Sequence, residues 1–500
     1  MRREAGVLMP IFSLPSRGGI GCFSREAYEF AELLAEAGQS LWQILPLGIT
    51  GYGNSPYQCF SAFGGNPYFI DPFELVSEGL LTEREIAHSG LLREEGGVDY
   101  GLQHRRRIPL LRLAYERSYG WRSEERERFE RENRWWLDDL ALFMAARSHC
   151  AERPLHTWQE PMRDREPFAM EELWCRCGDT VHFHRFLQFC FDRQWRGLKA
   201  HANGLGVRMV GDLPIYLSAD SADVWAHPER FSVDRMLRPT HVAGCPPDGF
   251  SPTGQLWGNP LYRWEAHEAE HFAFWVERFR HAFSLFDIVR VDHFRGFDEY
   301  YSIPANAPDA TDGRWCLGPG RRLFEAVEEA IGRREIFAED LGLRTESVRE
   351  LVRDCGCYSM KLLPFGFEGS EDPLFRGEYL PHCYEERSVA YTGTHDNATL
   401  SCWLRGMSPE TEGRLRHYLW DYETPTCKLG ERLIALLMRS PSSVCIIPLA
   451  DYLGLSEEGR INRPSVAEGN WRFRVSPDAL RGELIERIRS LTLLGGRCRG

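Results

Sequence analysis

A chain of 500 residues, 43% hydrophobic and 27% charged, has the make-up of a globular protein, and at this length it can bury on the order of 75% of its unfolded surface without disulfide or metal staples. A net charge of −13 excludes nucleic acid and anionic membranes as main partners. No apolar stretch approaches the ~20 residues that span a bilayer, and the run after Arg2 and Arg3 is cut by Pro10 and Pro15, so neither a membrane span nor a signal peptide is expected. The 15 cysteines are scattered, and Cys175/Cys177 and Cys355/Cys357 sit one residue apart, a spacing that suits neither a zinc knuckle nor a redox Cys-x-x-Cys. They read mostly as reduced, buried thiols of a cytoplasmic protein. The 15 Trp, 18 Tyr and 29 Phe supply core rings and, on loops, the flat faces that sugar clefts use.

Residues 6–14 (GVLMPIFSL) predict a first strand, closed by Pro15 and a Gly18-Gly19 turn. Residues 24–37 place Ala27, Phe30, Ala31, Leu34 and Ala37 on a helical stripe that Gly38 ends. Residues 40–47 (SLWQILPL) predict a second strand, and strand–helix–strand at this spacing marks a parallel sheet. The stretch GYGNSPYQCFSAFGGNPY is a loop without period, yet it carries five rings in residues 51–68, which suits a binding surface or a loop-side core. Residues 67–200 turn rich in Arg and Glu and predict a mainly helical insertion, with helices over 123–147 and 181–198. His182 and His184, two apart on the second, point to different sides, against a metal pair.

Residues 207–216 (VRMVGDLPIY) resume the strand pattern, with Asp212 at its C-terminal end. Residues 217–286 predict an irregular insertion with a lid loop at 244–260, whose Phe250 and Trp257 could face a ligand. A helix over 271–283 leads into SLFDIVRVDHFRGF (284–297), a fourth strand ending in Arg290, Asp292, His293 and Arg295. Alternation puts Arg290 and Asp292 on one face, where a guanidinium favours the charged form of a carboxylate. Alone, the pair is either a structural ion pair or a catalytic one. Further strands at 335–341, 360–365, 389–395 and 444–453 bring the count to eight. Eight strands alternating with helices predict an α/β fold, a (β/α)8 TIM barrel built from residues 1–66 and 201–500, with the helical insertion and further loop insertions at its C-terminal face.

The C-terminal strand ends are where such barrels build active sites. Asp292 ends the fourth strand, Glu339 with Asp340 the fifth, and Asp396, between His395 and Asn397, follows the seventh. Singly, an acid pair such as Glu339-Asp340 is commonly a helix cap worth ~0.5–2 kcal/mol, and THDN could be a turn. Independent structural acids, however, have no reason to gather at one rim. Glycoside cleavage needs one protonated acid to donate to the leaving oxygen and one ionised carboxylate to attack or stabilise an oxocarbenium-like centre. Asp292 beside Arg290 suits the ionised role, and Glu339, raised by neighbouring negative charge and a dry site, the protonated one.

The motifs GYGNSPYQCFSAFGGNP, GDLPIY, PPDGFSPTGQLWGNPLY, VRVDHFRGF, AEDLG and YTGTHDN span essentially the whole chain and resemble those of the amylomaltases (4-α-glucanotransferases, or disproportionating enzymes), relatives of the α-amylases. The resemblance implies transfer of α-1,4-glucan segments from a maltodextrin to glucose or another glucan by a retaining double displacement, with no metal or organic cofactor. It implies Asp292 as nucleophile, Glu339 as general acid/base and Asp396 as the third acid, gripping sugar hydroxyls. Arg290, His293 and His395 would line the cleavage subsite, with Asn397 beside them; Asp212 and Trp257 would belong to the flanking groove, and Tyr52, Ser55, Tyr57 and Phe250 to the glucan contacts. Three departures from the pattern stand at Gly249, at Pro364 and in the segment after Asn462 (RPSVAEGNW), and none is expected to touch the three acids. Two rivals remain at this point: an amylase-type hydrolase with the same acids, and a non-catalytic maltodextrin-binding barrel, for which three intact acids serve no purpose.

Overall fold

The computed structural model describes residues 3–51, 53–92, 96–120, 123–247, 251–342, 344–368, 375–464, 466 and 468–498. Among them twelve strands occur in chain order: β1 Glu4–Leu8, β2 Leu41–Gln43, β3 Arg208–Leu213, β4 His241–Cys245, β5 Gln255–Pro260, β6 Ile288–Val291, β7 Glu299–Pro304, β8 Arg314–Leu317, β9 Ile336–Ala338, β10 Tyr358–Leu362, β11 Ser388–Tyr391 and β12 Val444–Pro448. Eight of them close a parallel barrel in the order β1-β12-β11-β10-β9-β6-β3-β2. These are the eight strands the sequence predicts. They read as near-continuous apolar runs because helices cover the outside while side chains fill the inside; every residue of β6, β11 and β12 is buried.

The strands are shorter than predicted, for local reasons. The first stops at Leu8, and past Pro10 the chain turns into a 3-10 helix, Ile11–Ser13. The last gives way at Pro448 to the helix Leu449–Tyr452. The first helix, Arg25–Glu36, buries Ala27, Phe30, Ala31 and Leu34, and Gly38 follows it with φ 74°.

Among the described residues of 67–204 all the regular elements are helical. The single helix expected over 123–147 is two, Glu124–Glu132 and Arg134–His149, which meet at Asn133. There the Asn133 amide donates to the Phe129 carbonyl and accepts from Trp136 Nε1, competing with the helical ladder. The helix Pro167–Gly204 runs 38 residues, through position 200, so one rod serves both the helical segment and the barrel's outer layer. Trp195 anchors it on the barrel side, donating to the Leu285 carbonyl and packing edge-on against Phe286.

Residues 241–260, predicted as part of an irregular insertion and lid loop, instead supply two strands of a second sheet, antiparallel, in the order β5-β4-β7-β8. It has a small core of its own, Val242, Tyr301, Ile303 and Ala310. The proline- and glycine-rich composition hides these strands: a Cβ on Gly244 would lie 2.1 Å from the Gln255 carbonyl oxygen, so glycine is what lets β4 and β5 meet. The sheet extends the chain on either side of β6 and stands over the C-terminal rim of the barrel.

Candidate active site

Register brings the acids together. In β6 and β9, Val291 pairs with Ala338, so the next residues, Asp292 and Glu339, leave the sheet side by side. They are joined more closely by the His293 N–H, one peptide bond from Asp292, which donates to Glu339 Oε2 at 2.8 Å. The Leu341 N–H donates to Glu339 Oε1 at 3.1 Å, fixing the carboxyl from both sides. His293 adopts φ 47°, a left-handed conformation rare for a residue with a side chain, and this turn aims its N–H at Glu339.

Arg290 is the electrostatic hub. It lies directly opposite Asp212 in the β3–β6 register. Its Nη1 sits 2.8 and 2.7 Å from the two Asp212 oxygens and 2.9 Å from Asp292 Oδ1. Burial would discharge the guanidinium, but the charges of Asp212 and Asp292 outweigh it and hold it firmly protonated. Burial also pushes the Asp212 carboxyl up, against the pull of Arg290. Glu339 is raised to about 7, first by burial and then by the Asp292 charge, with Arg290 and the two backbone N–H groups opposing. Asp396 goes the other way. Burial alone would raise it, but His395, whose Nε2 is 3.3 Å from Oδ2, and Asn462, whose amide donates to Oδ1 at 2.6 Å, bring it to about 2. The Asp396 charge in turn raises the buried His395. His293, with burial dominant, falls to about 4 and is neutral at pH 7.

Exposure separates the acids. Asp396 keeps 43% of its side-chain surface open and Asp292 26%, whereas Asp212 has none. Asp212, predicted as a groove residue, therefore lies behind the cleft wall, where it receives the Tyr57 hydroxyl at 2.8 Å and the Arg290 guanidinium. Asp340, beside Glu339 in sequence, points the opposite way and is bound by Ser359, the Met360 N–H and Arg344. It is the structural half of the acid pair.

The three acids open into a cleft of about 2040 Å³, measured with its mouth. Its walls include Arg290, His293, His395, Trp257, Ser55, Tyr57 and Asn397, so these predicted residues do converge. Tyr57 stacks on His395 at 5.0 Å and 14°, and Trp257, on β5, stands edge-on to His293 at 4.8 Å. Asn397 spends its amide oxygen on the Thr394 N–H and hydroxyl, which shapes the turn carrying Asp396. Tyr52 and Phe250, and the departure at Gly249, lie outside the described residues. Pro364 starts the 3-10 helix Pro364–Gly366, next to the cleft-lining Phe365.

Sequence reading missed several wall residues: Trp471, Trp315, Gln58, Asn259 and, above all, Asn462. The segment after Asn462 is expected to stay clear of the acids, and Asn462 leads into it. Asn462 itself touches one. Asn470 closes that segment by accepting from the Arg463 N–H and donating to the Val466 carbonyl, which presents Asn462 to Asp396 and Trp471 to the cleft. The pairing of Asn462 with Asp396 spans 66 positions and leaves no local signal.

A closed parallel barrel whose strand-end acids open into a ring-walled cleft is the arrangement of a barrel enzyme. Comparison with known proteins narrows this. The chain belongs to the 4-alpha-glucanotransferase family, whose profile matches residues 9–480, and is an enzyme of the hexosyl-transferring type. The 4-alpha-glucanotransferase of Thermus thermophilus is 44% identical over 501 residues, 98% of either chain. That of Clostridium butyricum is 40% identical over 494 residues, 98% of this chain and 100% of its own. Among solved structures, an amylomaltase from Streptococcus agalactiae in complex with acarbose superposes with a TM-score of 0.95 at 34% identity, covering 100% of both chains.

Proposed function

We propose that the enzyme moves α-1,4-glucan segments from a maltodextrin donor to the 4-hydroxyl of glucose or another glucan by a retaining double displacement. The observation that carries this reading is the contrast between two carboxyls on adjacent strand ends: Glu339 raised to about 7, and Asp292 ion-paired with Arg290. Glu339 donates its proton to the glycosidic oxygen as an Asp292 oxygen bonds to the anomeric carbon, so the leaving chain departs as an alcohol and a glucosyl ester remains. Glu339, now ionised, takes the proton of the acceptor hydroxyl, whose oxygen displaces Asp292. Two inversions retain the configuration.

In this reading Asp396, charged and open to the cleft, grips sugar hydroxyls and helps distort the ring. Arg290, His293, His395 and Asn397 line the cleavage point, while Trp257, Ser55 and Tyr57 extend the groove; Tyr52 and Phe250 stay candidate contacts. Asp212 acts from behind, through Arg290 and Tyr57. The sheet over the rim, which brings Trp257 and Trp315 to the cleft, favours transfer by limiting water at the ester. Acarbose bound to the Streptococcus agalactiae relative supports a carbohydrate ligand.

The test is product analysis with maltotriose. The wild type should give a ladder of shorter and longer chains, and glucose and maltose alone would instead mark a hydrolase. Asp292→Asn should lose at least ~10³-fold in kcat; full activity in that variant would remove Asp292 from the nucleophile's role.

A further inference from the structure

The barrel's outer surface carries an aromatic feature that the cleft does not use. Between β11 and β12 the helix Pro409–Leu419 ends at Trp420, which adopts φ 53° and ψ 41°. That left-handed position after a helix is one where glycine is the unstrained choice and a side chain is strained. Here it carries the largest side chain available, 78% exposed, with Tyr422 58% exposed two residues on. Strain and exposed apolar surface are both unfavourable for the fold, and the described residues offer no core for either ring.

The two rings also have defined neighbours. Their centroids are 5.9 Å apart at 74°, an open wedge. His417 Nδ1 bonds the Tyr422 hydroxyl at 2.9 Å and its ring lies 6.0 Å from that of Trp420. Beneath them Asp421 accepts from the Glu423 and Thr424 N–H groups and pairs with Arg432. Arg416 donates to the Asp421 and Thr424 carbonyls and to the Thr426 hydroxyl, so the backbone under the wedge is pinned. The helix is seated on the loop after β10, where Phe367, two residues past the cleft-lining Phe365, meets Tyr418 edge-on at 5.3 Å.

We propose that Trp420 and Tyr422, with His417, form a second, non-catalytic binding site for α-1,4-glucan chains, outside the cleft. Rigid rings lose little conformational freedom when a ligand stacks on them, the saving that makes aromatic platforms efficient. The two ring planes meet at an angle, which suits the bend of an α-1,4-linked chain rather than a flat ligand. The exposed His417 and Glu423 bring polar groups to the sugar's rim. A polymer held here raises the local concentration of chain ends near the cleft. The site rests on the glucan-transfer reading above.

The test compares wild type with Trp420→Ala, Tyr422→Ala and, as a control exposed elsewhere, Phe168→Ala. Native electrophoresis is run through gels with and without amylopectin, with saturating acarbose to occupy the cleft. The wild type and Phe168→Ala should be retarded alike, and each wedge variant should show ~5–20-fold weaker apparent affinity, the expected effect of removing one stacked ring. Disproportionation of maltotriose, which is too short to need a second site, should stay within twofold of wild type. Equal retardation of all four proteins, or no retardation of wild type in acarbose, would overturn the site while leaving the maltotriose ladder, and thus the transfer reading, intact. Concentration-dependent self-association of wild type that Trp420→Ala abolishes would overturn it in favour of a protein contact.

Discussion

Glu339→Gln isolates the protonation that the mechanism depends on. A carboxyl raised from 4.5 to about 7 binds its proton in the folded protein at pH values where the unfolded chain has released it. Its contribution to stability is therefore full below about pH 4.5 and is lost as pH rises through 7. Moving from pH 5 to pH 8 should cost the wild type roughly 2–3 kcal/mol at this one position, with the lower figure reflecting water in the cleft. Glutamine does not titrate. It also leaves one of the two N–H groups, of His293 or Leu341, without its acceptor, a loss of about 1–2 kcal/mol that is the same at both pH values and drops out of the comparison. Urea unfolding of both proteins at pH 5 and pH 8 gives the answer: the stability lead of wild type over Glu339→Gln should shrink by roughly 2–3 kcal/mol at the higher pH. The alkaline limb of kcat/KM for maltotriose should fall near pH 7, and the variant should lose ~10²–10⁴-fold. An equal stability difference at both pH values would mean that Glu339 titrates as an ordinary surface carboxyl, and the acid/base assignment would lose its physical basis.

Asn462→Ala removes the 2.6 Å bond to Asp396, and kcat/KM should drop ~10–100-fold, the worth of one charge-assisted hydrogen bond, with the acid limb of the profile shifted upward because Asn462 is one of the groups lowering Asp396. An unchanged acid limb would show that His395 alone sets that carboxyl. Arg290→Lys cannot serve Asp212 and Asp292 from one planar group, and urea unfolding should show a loss of about 3–5 kcal/mol, with activity falling alongside; a loss below about 1 kcal/mol would contradict the hub. Tyr57→Phe keeps the ring for stacking on His395 and deletes only the hydroxyl bonded to Asp212, so stability should fall by about 1.5–3 kcal/mol with a smaller kinetic effect than Asn462→Ala.

The barrel was legible in the sequence because a parallel strand buried on both faces must be apolar along its length, and runs such as VCIIP and SVAY have few other uses. The acids were legible for a related reason: a charge that interrupts such a run at its end, as Asp292 and Glu339 do, falls on the one rim where the fold leaves room for it. What local sequence could not settle was pairing at a distance. The antiparallel sheet is built from short, glycine- and proline-broken strands that only their partners stabilise, so β4 and β5 looked like a loop. Asp212 reads in the sequence as one more strand-end acid, and only the register that sets it level with Arg290, inside its strand and under Tyr57, takes it out of the cleft. Asn462 bonds Asp396 across 66 residues, a contact that no periodicity encodes. Residue type and alternation thus determined which strands form and which ends carry charge. Burial, register and long-range hydrogen bonds, which exist only once the barrel has closed, decided which acid is raised, which is lowered and which lies behind the cleft wall.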